Sequence, residues 1–497
     1  MYDILIKNGK ILDGTGSPAI AAQVAVKDGK IAKIGRHISG EAAKVIDAAG
    51  KVVTPGFIDS HSHSDRQFFT CPLQTDKIEQ GITTCVAGQC GGSVCGRDAA
   101  EFLTNARTAK LGANMALLIG HGTLRNAVMG SQDREPTPQE LEEMKQMLRS
   151  GMEHGALGVS FGLIYAPGCF AKTPELIEIA KVASEYHGIA AIHLRSESIT
   201  LVSAVQEFIS VVRQSGVRGV VSHHKAAGLS ENWGKIHTTM RMIEEANQEG
   251  LEIYMDVYPY TAASSKFSTA FIPPYWRDGG TEALLKRAED PQQVAQIREE
   301  YYARFPHMNW LMITSCPGAP EYNGLRVGEI AALRNQDEFS TAMDILRISK
   351  DAASCCFFSM CEEDVEAVIA NPRTMIGTDG GVDVKSKTYH PRVKGTFPRA
   401  IARYVRERGV VSLPEMIRKM TAMPAAVYGF QTKGLIREGF DADLCIFDPH
   451  TITDQADFKD PTRRCLGLDY VIAGGKIAVV DSVATGELGG KFLYRNL

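Results

Sequence analysis

Residues 55–65, PGFIDSHSHSD, place His61 and His63 two positions apart at the end of an apolar run. Side chains i and i+2 of a β-strand leave the same face, so the two imidazoles aim at one point and can share a divalent metal. Val52, Val53, Phe57 and Ile58 read as one buried strand, in which Pro55 and Gly56 mark a bend or bulge. A zinc site needs three or four ligands, so two histidines define a metal centre only if further donors converge from other parts of the chain.

Runs of similar texture recur downstream: 82–88 ITTCVAG, 115–121 MALLIGH, 157–163 LGVSFGL, 189–195 IAAIHLR, 219–225 GVVSHHK, 252–260 EIYMDVYPY and 374–380 TMIGTDG. Together with the first run they make eight β-rich segments, interleaved with amphipathic helical stretches such as 137–155, TPQELEEMKQMLRSGMEHG. That alternation predicts an α/β fold of the (β/α)8 TIM-barrel type. A doubly wound open sheet is disfavoured, because no G-x-G-x-x-G turn follows an early strand and polar residues sit at many different strand ends. Residues 1–52 read instead as short β-segments broken by turns, and matching texture returns in 435–449, LIREGFDADLCIFDP, and 470–481, YVIAGGKIAVVD. A small β-sandwich domain built from 1–52 and 430–497 is therefore expected, with the barrel over 53–429. Residues 261–373, too long for a plain loop, form an insertion between strands seven and eight, over the active face.

The chain has 497 residues, 44% hydrophobic and 23% charged, with a formal net charge of −4. Nothing in this balance selects nucleic acid or an anionic membrane as partner, and a small-molecule substrate is expected. The start, MYDILIKNGKILDG, alternates like a strand and lacks the features of a secretory signal, and no apolar run approaches membrane-spanning length. Eleven cysteines without an export signal favour free thiols and a cytoplasmic location.

The residues able to do chemistry fall where the strands would end at their C-terminal edge, the face on which barrel enzymes build their sites. They are His61 and His63 after strand one, Cys90 after strand two, His193 after strand five, His223 after strand six and Asp379 after strand eight. Four imidazoles, a thiolate and a carboxylate suffice for one or two zinc ions. The two glycines after Cys90 let backbone amides approach and stabilise a thiolate. His224 alternates away from His223 and packs outside the barrel, and His121 reads as structural or supporting before it reads as a ligand. Asp379 is the natural general base, able to take a proton from a water activated by the metal and return it to a leaving amine. Tyr165, Lys225 and Arg392 add a phenol and two cations at the same rim, and cations beside a metal imply an anionic group on the substrate.

With these residues in place the chain resembles the amidohydrolase superfamily, and within it the N-acyl-D-amino-acid deacylases. The resemblance runs through 8–16 NGKILDGTG, PGFIDSHSHSD, 81–93 GITTCVAGQCGGS, 120–125 GHGTLR, HLRSE, SHHK, DVYPY, 377–381 GTDGG, 390–399 HPRVKGTFPR, 421–430 TAMPAAVYGF and GFDADLCIFDP. It implies a cysteine where other branches carry a carboxylated lysine, a tight zinc on Cys90, His193 and His223, and a second, weaker or empty position at His61, His63 and Asp379. It further implies that Asp379 is the acid/base residue, that Tyr165, Lys225 and Arg392 grip the substrate's α-carboxylate, and that the amino acid is of the D series. With carboxylate and carbonyl both fixed, only one enantiomer can send its side chain into the open pocket. The chain departs from the family pattern in GQCGGSVCG, where Cys95 is a spare thiol, and in GTDGG in place of GSDG.

The activity expected is zinc-dependent hydrolysis of N-acyl-D-amino acids to a carboxylate and a free D-amino acid. A hydantoin-like cyclic amide or an N-carbamoyl substrate is the nearest rival, and a non-catalytic scaffold the rival from another class. Lys266 is a candidate partner for an acidic side chain, whereas Tyr275 and Trp276 would wall the pocket and suit apolar ones. The balance leans to a neutral or hydrophobic D-amino acid.

Overall fold

The computed structural model describes residues 1–67, 69–381 and 387–495. The chain opens with β1 (Tyr2–Ile11), β2 (Ile20–Lys27), β3 (Lys30–Gly35), β4 (Ala42–Asp47) and β5 (Val52–Pro55). It then enters a parallel series: β6 (Phe57–Asp59), β7 (Ile82–Ala87), β8 (Asn114–Leu117), β9 (Ile119–Gly120), β10 (Gly158–Gly162), β11 (Ile189–His193), β12 (Arg218–Val221) and β13 (Ile253–Val257). Three strands follow in antiparallel order, β14 (Ala263–Lys266), β15 (Leu311–Ser315) and β16 (Ser354–Phe357), before β17 (Thr374–Ile376). The last strands are β18 (Leu444–Phe447), β19 (Leu468–Ala473), β20 (Lys476–Val480) and β21 (Val483–Ala484). The fold is α/β, as expected. Among the described residues no helix is long and apolar enough to cross a membrane.

In the parallel series β6–β7–β8 pair side by side, and so do β9–β10–β11–β12–β13–β17. β8 and β9 are one strand interrupted at Leu118, whose amide donates to Ala87 O at 2.9 Å, and Leu157 donates to Leu117 O at 2.8 Å. At the other edge Ser60 N donates to Ile376 O, and Ser62 forms a parallel bridge with Gly380. Strands buried on both faces are near-continuous in apolar residues, as in the fully buried β7, ITTCVA. One set of alternate side chains (Val86, Ala116, Leu118, Ile189, Ala191, Val220, Met375) shares a core with Val427, Tyr428 and Leu493, which close it from below.

One expectation is corrected at Pro55–Gly56. Val52–Pro55 does not continue into Phe57–Asp59: it pairs with β1 and β18 in the sheet of the two termini, while β6 pairs with β7. The dipeptide is where the chain leaves one sheet for the other. Gly56 is required there because a Cβ would lie 2.2 Å from Thr83 Oγ1. Residues 53–55 thus run with the terminal sheet, which has nine strands and joins both ends of the chain. The C-terminal tail departs from that sheet and bridges back to Leu111 and Met115 through Gly490 and Phe492.

Between β13 and β17 the insertion has its own three-stranded sheet, β14–β16–β15, and its own apolar core, in which Phe267, Phe271, Leu284, Ile297, Tyr301, Phe339 and Leu346 are buried.

Candidate active site

Every residue singled out for metal binding sits at or just beyond the C-terminal end of a parallel strand: His61 and His63 after β6, Cys90 after β7, His193 on the last position of β11, His223 after β12 and Asp379 after β17. They form two groups that share a sulfur. The donor atoms of His61, His63, Cys90 and Asp379 all lie within 4.8 Å of one another, and so do those of Cys90, His193 and His223. Cys90 Sγ is 3.3 Å from both His61 Nε2 and His223 Nε2, and His63 Nε2 is 3.0 Å from Asp379 Oδ1.

The backbone at three of these residues is left-handed: φ is 53° at Cys90, 36° at His223 and 47° at Asp379. Such conformations cost about 1–3 kcal/mol each for a non-glycine residue and persist only where the surroundings impose them. For Cys90 the surroundings are visible. Gly91 N donates to Ser160 Oγ at 3.0 Å, Ser160 Oγ donates to Gly88 O at 2.5 Å, and a Cβ on Gly162 would stand 2.0 Å from Cys90 O. The glycines that flank Cys90 and line β10 allow the two backbones to touch.

Charge at the site is strongly shifted. Burial works against a thiolate at Cys90, but His61 and His223 outweigh it and hold the thiol's pKa well below its ordinary value. Burial likewise opposes an ionised Asp379, yet Arg392 and the histidines keep it well below the carboxylate range. His63 is pushed up to about 9, because the hydrogen bond to Asp379 and the field of Cys90 exceed the cost of burial. An ionised Cys90 and an ionised Asp379 buried among histidine nitrogens are a donor set suited to a cation.

His193 tests whether that cation is a metal. Both ring nitrogens are buried without a hydrogen-bond partner among the described residues, and the nearest carboxylate oxygen, on Glu197, is 3.6 Å from Nε2. A buried imidazole with neither nitrogen satisfied is costly, and a divalent ion shared with Cys90 and His223 would take one of the two. Thiolate plus imidazoles is a zinc donor set.

Two acidic residues missed in the sequence support the ligands. Asp256 on β13 lies 3.2 Å from His61 Nδ1 and accepts from the His223 amide at 2.7 Å, so one carboxylate orients two of the candidate ligands. Glu197 accepts from Lys225 Nζ at 2.5 Å and lies 3.0 Å from His223 Nδ1. A signal existed for Asp256, a lone charge inside an apolar strand, and for Glu197, four residues beyond His193. Asp256→Asn is expected to weaken metal binding by roughly 10- to 100-fold, read by chelator competition; unchanged affinity would exclude Asp256 from this role.

The cations at the rim are less free than the sequence suggests. Arg392 Nη1 is 2.8 Å from Asp379 Oδ2, and Lys225 is held by Glu197. Both face the ring of Tyr258, at 4.6 and 5.5 Å from its centroid. Pairings with the protein's own carboxylates, Asp379 and Glu197, therefore account for part of this positive charge. Tyr165 stacks edge-on against His193 with ring centroids 5.0 Å apart and lines a cavity of about 560 Å³ with His63, Cys90 and Lys266.

The remaining candidates lie elsewhere. Lys266 reaches this cavity but is paired with Asp351 at 2.5 Å. Tyr275 and Trp276 do not wall it: both hydrogen-bond to Glu300 on the insertion, and Tyr275 is 53% exposed. His224 packs outward onto Thr239 Oγ1 at 2.9 Å, and burial lowers its pKa to about 3. His121 is held in a buried cluster, 2.8 Å from Glu175, which also binds Arg125. Cys95 belongs to neither donor group among the described residues; burial raises its pKa to about 12, so it is a neutral thiol and does not compete with Cys90.

Comparison with known proteins places this geometry. Residues 44–479 match the model of the Amidohydrolase family. The D-aminoacylase of Alcaligenes xylosoxydans xylosoxydans is 33% identical over 99% of this chain and 98% of its own length, and the N-acyl-D-glutamate deacylase of the same organism is 32% identical over 99% and 97%. Among solved structures, the N-acyl-D-glutamate deacylase from Bordetella bronchiseptica, complexed with zinc and a phosphonate mimic of the tetrahedral intermediate, superimposes with a TM-score of 0.86 at 33% identity over 99% of both chains. Likeness at this level runs the whole length of the chain, and the protein belongs to the amidohydrolase family, among its D-amino-acid deacylases.

Proposed function

We propose that this protein is a zinc-dependent hydrolase that cleaves N-acyl-D-amino acids to a carboxylate and a free D-amino acid. The observation that carries the proposal is the sharing of Cys90 by two converging donor groups, in a chain whose full-length relatives are named as D-amino-acid deacylases. We infer that the eight parallel strands close as a barrel, supported by the Ser62–Gly380 bridge between its first and last members. The terminal sheet then forms a small domain from 1–52 and 430–497, with 53–429 as the barrel apart from the strand end noted above, and 261–373 as an insertion over its mouth. Eleven free cysteines support a reducing, cytoplasmic setting.

Cys90, His193 and His223 would hold the tightly bound ion, and His61, His63 and Asp379 a second, weaker position. Zinc bound there supplies Lewis acidity, polarising the scissile carbonyl and making water a better nucleophile. Asp379, ionised at neutral pH, takes the proton of the attacking water and delivers it to the leaving nitrogen, so that amide plus water gives acid plus amine. Tyr165, Lys225 and Arg392 orient the substrate through its α-carboxylate. For Arg392 this means sharing its guanidinium between Asp379 and the substrate, which ties substrate position to the acid/base group.

The test is a kinetic panel of zinc-loaded enzyme on N-acetyl-D-amino acids, their L counterparts and hydantoins. Turnover confined to the D series is expected. Turnover of hydantoins alone, or of nothing, would overturn the proposal.

A further inference from the structure

The cavity of about 560 Å³ that opens at His63, Cys90 and Tyr165 extends beyond the donor groups to Arg66, Thr123, Asn126 and Ser131. Lys225 and Arg392 lie outside its lining, so it leaves the site on a side other than that of the α-carboxylate grip assigned above. With the α-carboxylate in that grip and the scissile carbonyl at the donor groups, the acyl chain, which points away from the amino acid, is directed into this cavity. Its volume suits a whole small-molecule fragment and far exceeds the needs of the methyl of an acetyl group.

Five glycines, Gly91, Gly92, Gly122, Gly162 and Gly168, keep the wall open, and Thr123, Asn126 and Ser131 give it hydroxyl and amide groups. Two cations face the space, Arg66 and Lys266, and among the described residues no carboxylate lines it. Lys266 is neutralised by Asp351, which stands outside the lining. Arg66 is not. It lies three residues beyond His63 on the turn Ser64–Gln67, and its guanidinium rests against Gly92, where a Cβ would stand 3.2 Å from Nη2. Among the described residues no carboxylate is within ion-pair distance of it, and the adjacent Asp65 accepts instead from the Val94 amide at 2.8 Å. Arginine on a convex surface is a solvated charge, whereas a cation in the wall of a cleft that holds no acidic group focuses positive potential into that cleft.

We infer that this cavity is an acyl subsite in which Arg66 reads an anionic end of the acyl group, so that half-amides of short dicarboxylic acids, such as N-succinyl-D-amino acids, are better substrates than their uncharged counterparts. The inference rests on the deacylase reading above and extends it to the other half of the substrate. An arginine suits this role because its planar fork binds a carboxylate through two parallel hydrogen bonds. The polar, glycine-rich wall points the same way, since it offers an aliphatic acyl chain little apolar surface against which to be buried. The reaction is unchanged in kind: water adds across the amide and releases a dicarboxylic acid with the free D-amino acid, and no further reactant is needed.

The experiment holds the D-amino acid constant, at the one turned over fastest in the panel above, and compares kcat/KM for its N-succinyl and N-succinamoyl derivatives on the zinc-loaded wild type, Arg66→Met and Arg66→Glu. Succinamoyl keeps the length and polarity of succinyl and removes only the charge. Wild type is expected to favour succinyl by about 10-fold, within what hydrogen bonds to a charged group contribute. Arg66→Met should bring the ratio close to one, mainly through KM, and Arg66→Glu should invert it. Added salt should shrink the wild-type preference, because the pair is open to solvent. Thermal unfolding checks that both variants are folded. A wild type that does not separate the two acyl groups, a ratio that Arg66→Met leaves unmoved, or an Arg66→Met effect that follows the amino-acid side chain across the N-acetyl series would overturn the inference and leave the deacylase reading intact. Failure on every N-acyl-D-amino acid would overturn both.

Discussion

Asp379→Asn is expected to keep one equivalent of zinc and to lose turnover by roughly 10²- to 10⁴-fold, the usual contribution of a positioned acid/base group. The substitution is nearly isosteric, and asparagine is among the few residues that tolerate the left-handed backbone found there, with φ of 47°. The loop should therefore survive. What asparagine cannot do is exchange a proton. Arg392 keeps Oδ2 occupied at 2.8 Å and His63 approaches Oδ1 at 3.0 Å, so the carboxylate is ionised and oriented in the resting enzyme. Zinc should remain because Asp379 is outside the Cys90, His193 and His223 group. Metal analysis and single-turnover kinetics on an N-acetyl-D-amino acid check both halves; a variant with zinc and full turnover would remove Asp379 from the chemistry.

The second large effect is expected on stability. Lys77 is fully buried, and its ammonium donates to Asp59 Oδ2 at 2.8 Å, Thr378 Oγ1 at 2.7 Å and Gly380 O at 2.9 Å. Asp59 is also fully buried and accepts from the Thr378 amide at 2.8 Å. One ion pair thus ties β6 to the loop that carries Asp379. Lys77→Met should destabilise the fold by about 3–5 kcal/mol, because it removes the counter-charge of a carboxyl group in the interior. That is a large part of the whole folding free energy of a typical protein, about 5–15 kcal/mol. Adding Asp59→Asn should recover part of the loss, since a neutral amide is cheaper to bury than an unpaired carboxylate. Urea unfolding of the three proteins decides it: an unchanged midpoint for Lys77→Met, or a double variant weaker than the single, would show that the pair does not have this role.

The residues legible in the sequence share one property. Residues able to bind metal must be particular chemical types at particular strand ends, so the candidates His61, His63, Cys90, His193, His223 and Asp379 stood out as polar residues closing apolar runs, and their convergence in space follows from parallel strands pointing one way. The supporting residues did not stand out in the same way. Asp59, Lys77, Asp256 and Glu197 act by contact with residues far away in the chain, and the sequence shows such a charge without its partner. The same holds for Tyr275 and Trp276, whose aromatic character suited a pocket wall but which bond to Glu300 instead.

The alternation of strands and helices, the return of both termini to one sheet and the chemical types of the candidate ligands were written in local pattern, because hydrophobic period and ligand chemistry are properties of short segments. Which cations are neutralised within the protein and which stay available to a substrate was decided only by the tertiary structure. Nothing in their local pattern separates Lys225, Lys266 and Arg392 from other cations of the chain; packing places Glu197, Asp351 and Asp379 beside them. Electrostatic pairing acts through space and depends on separation and burial, quantities that a linear pattern does not contain.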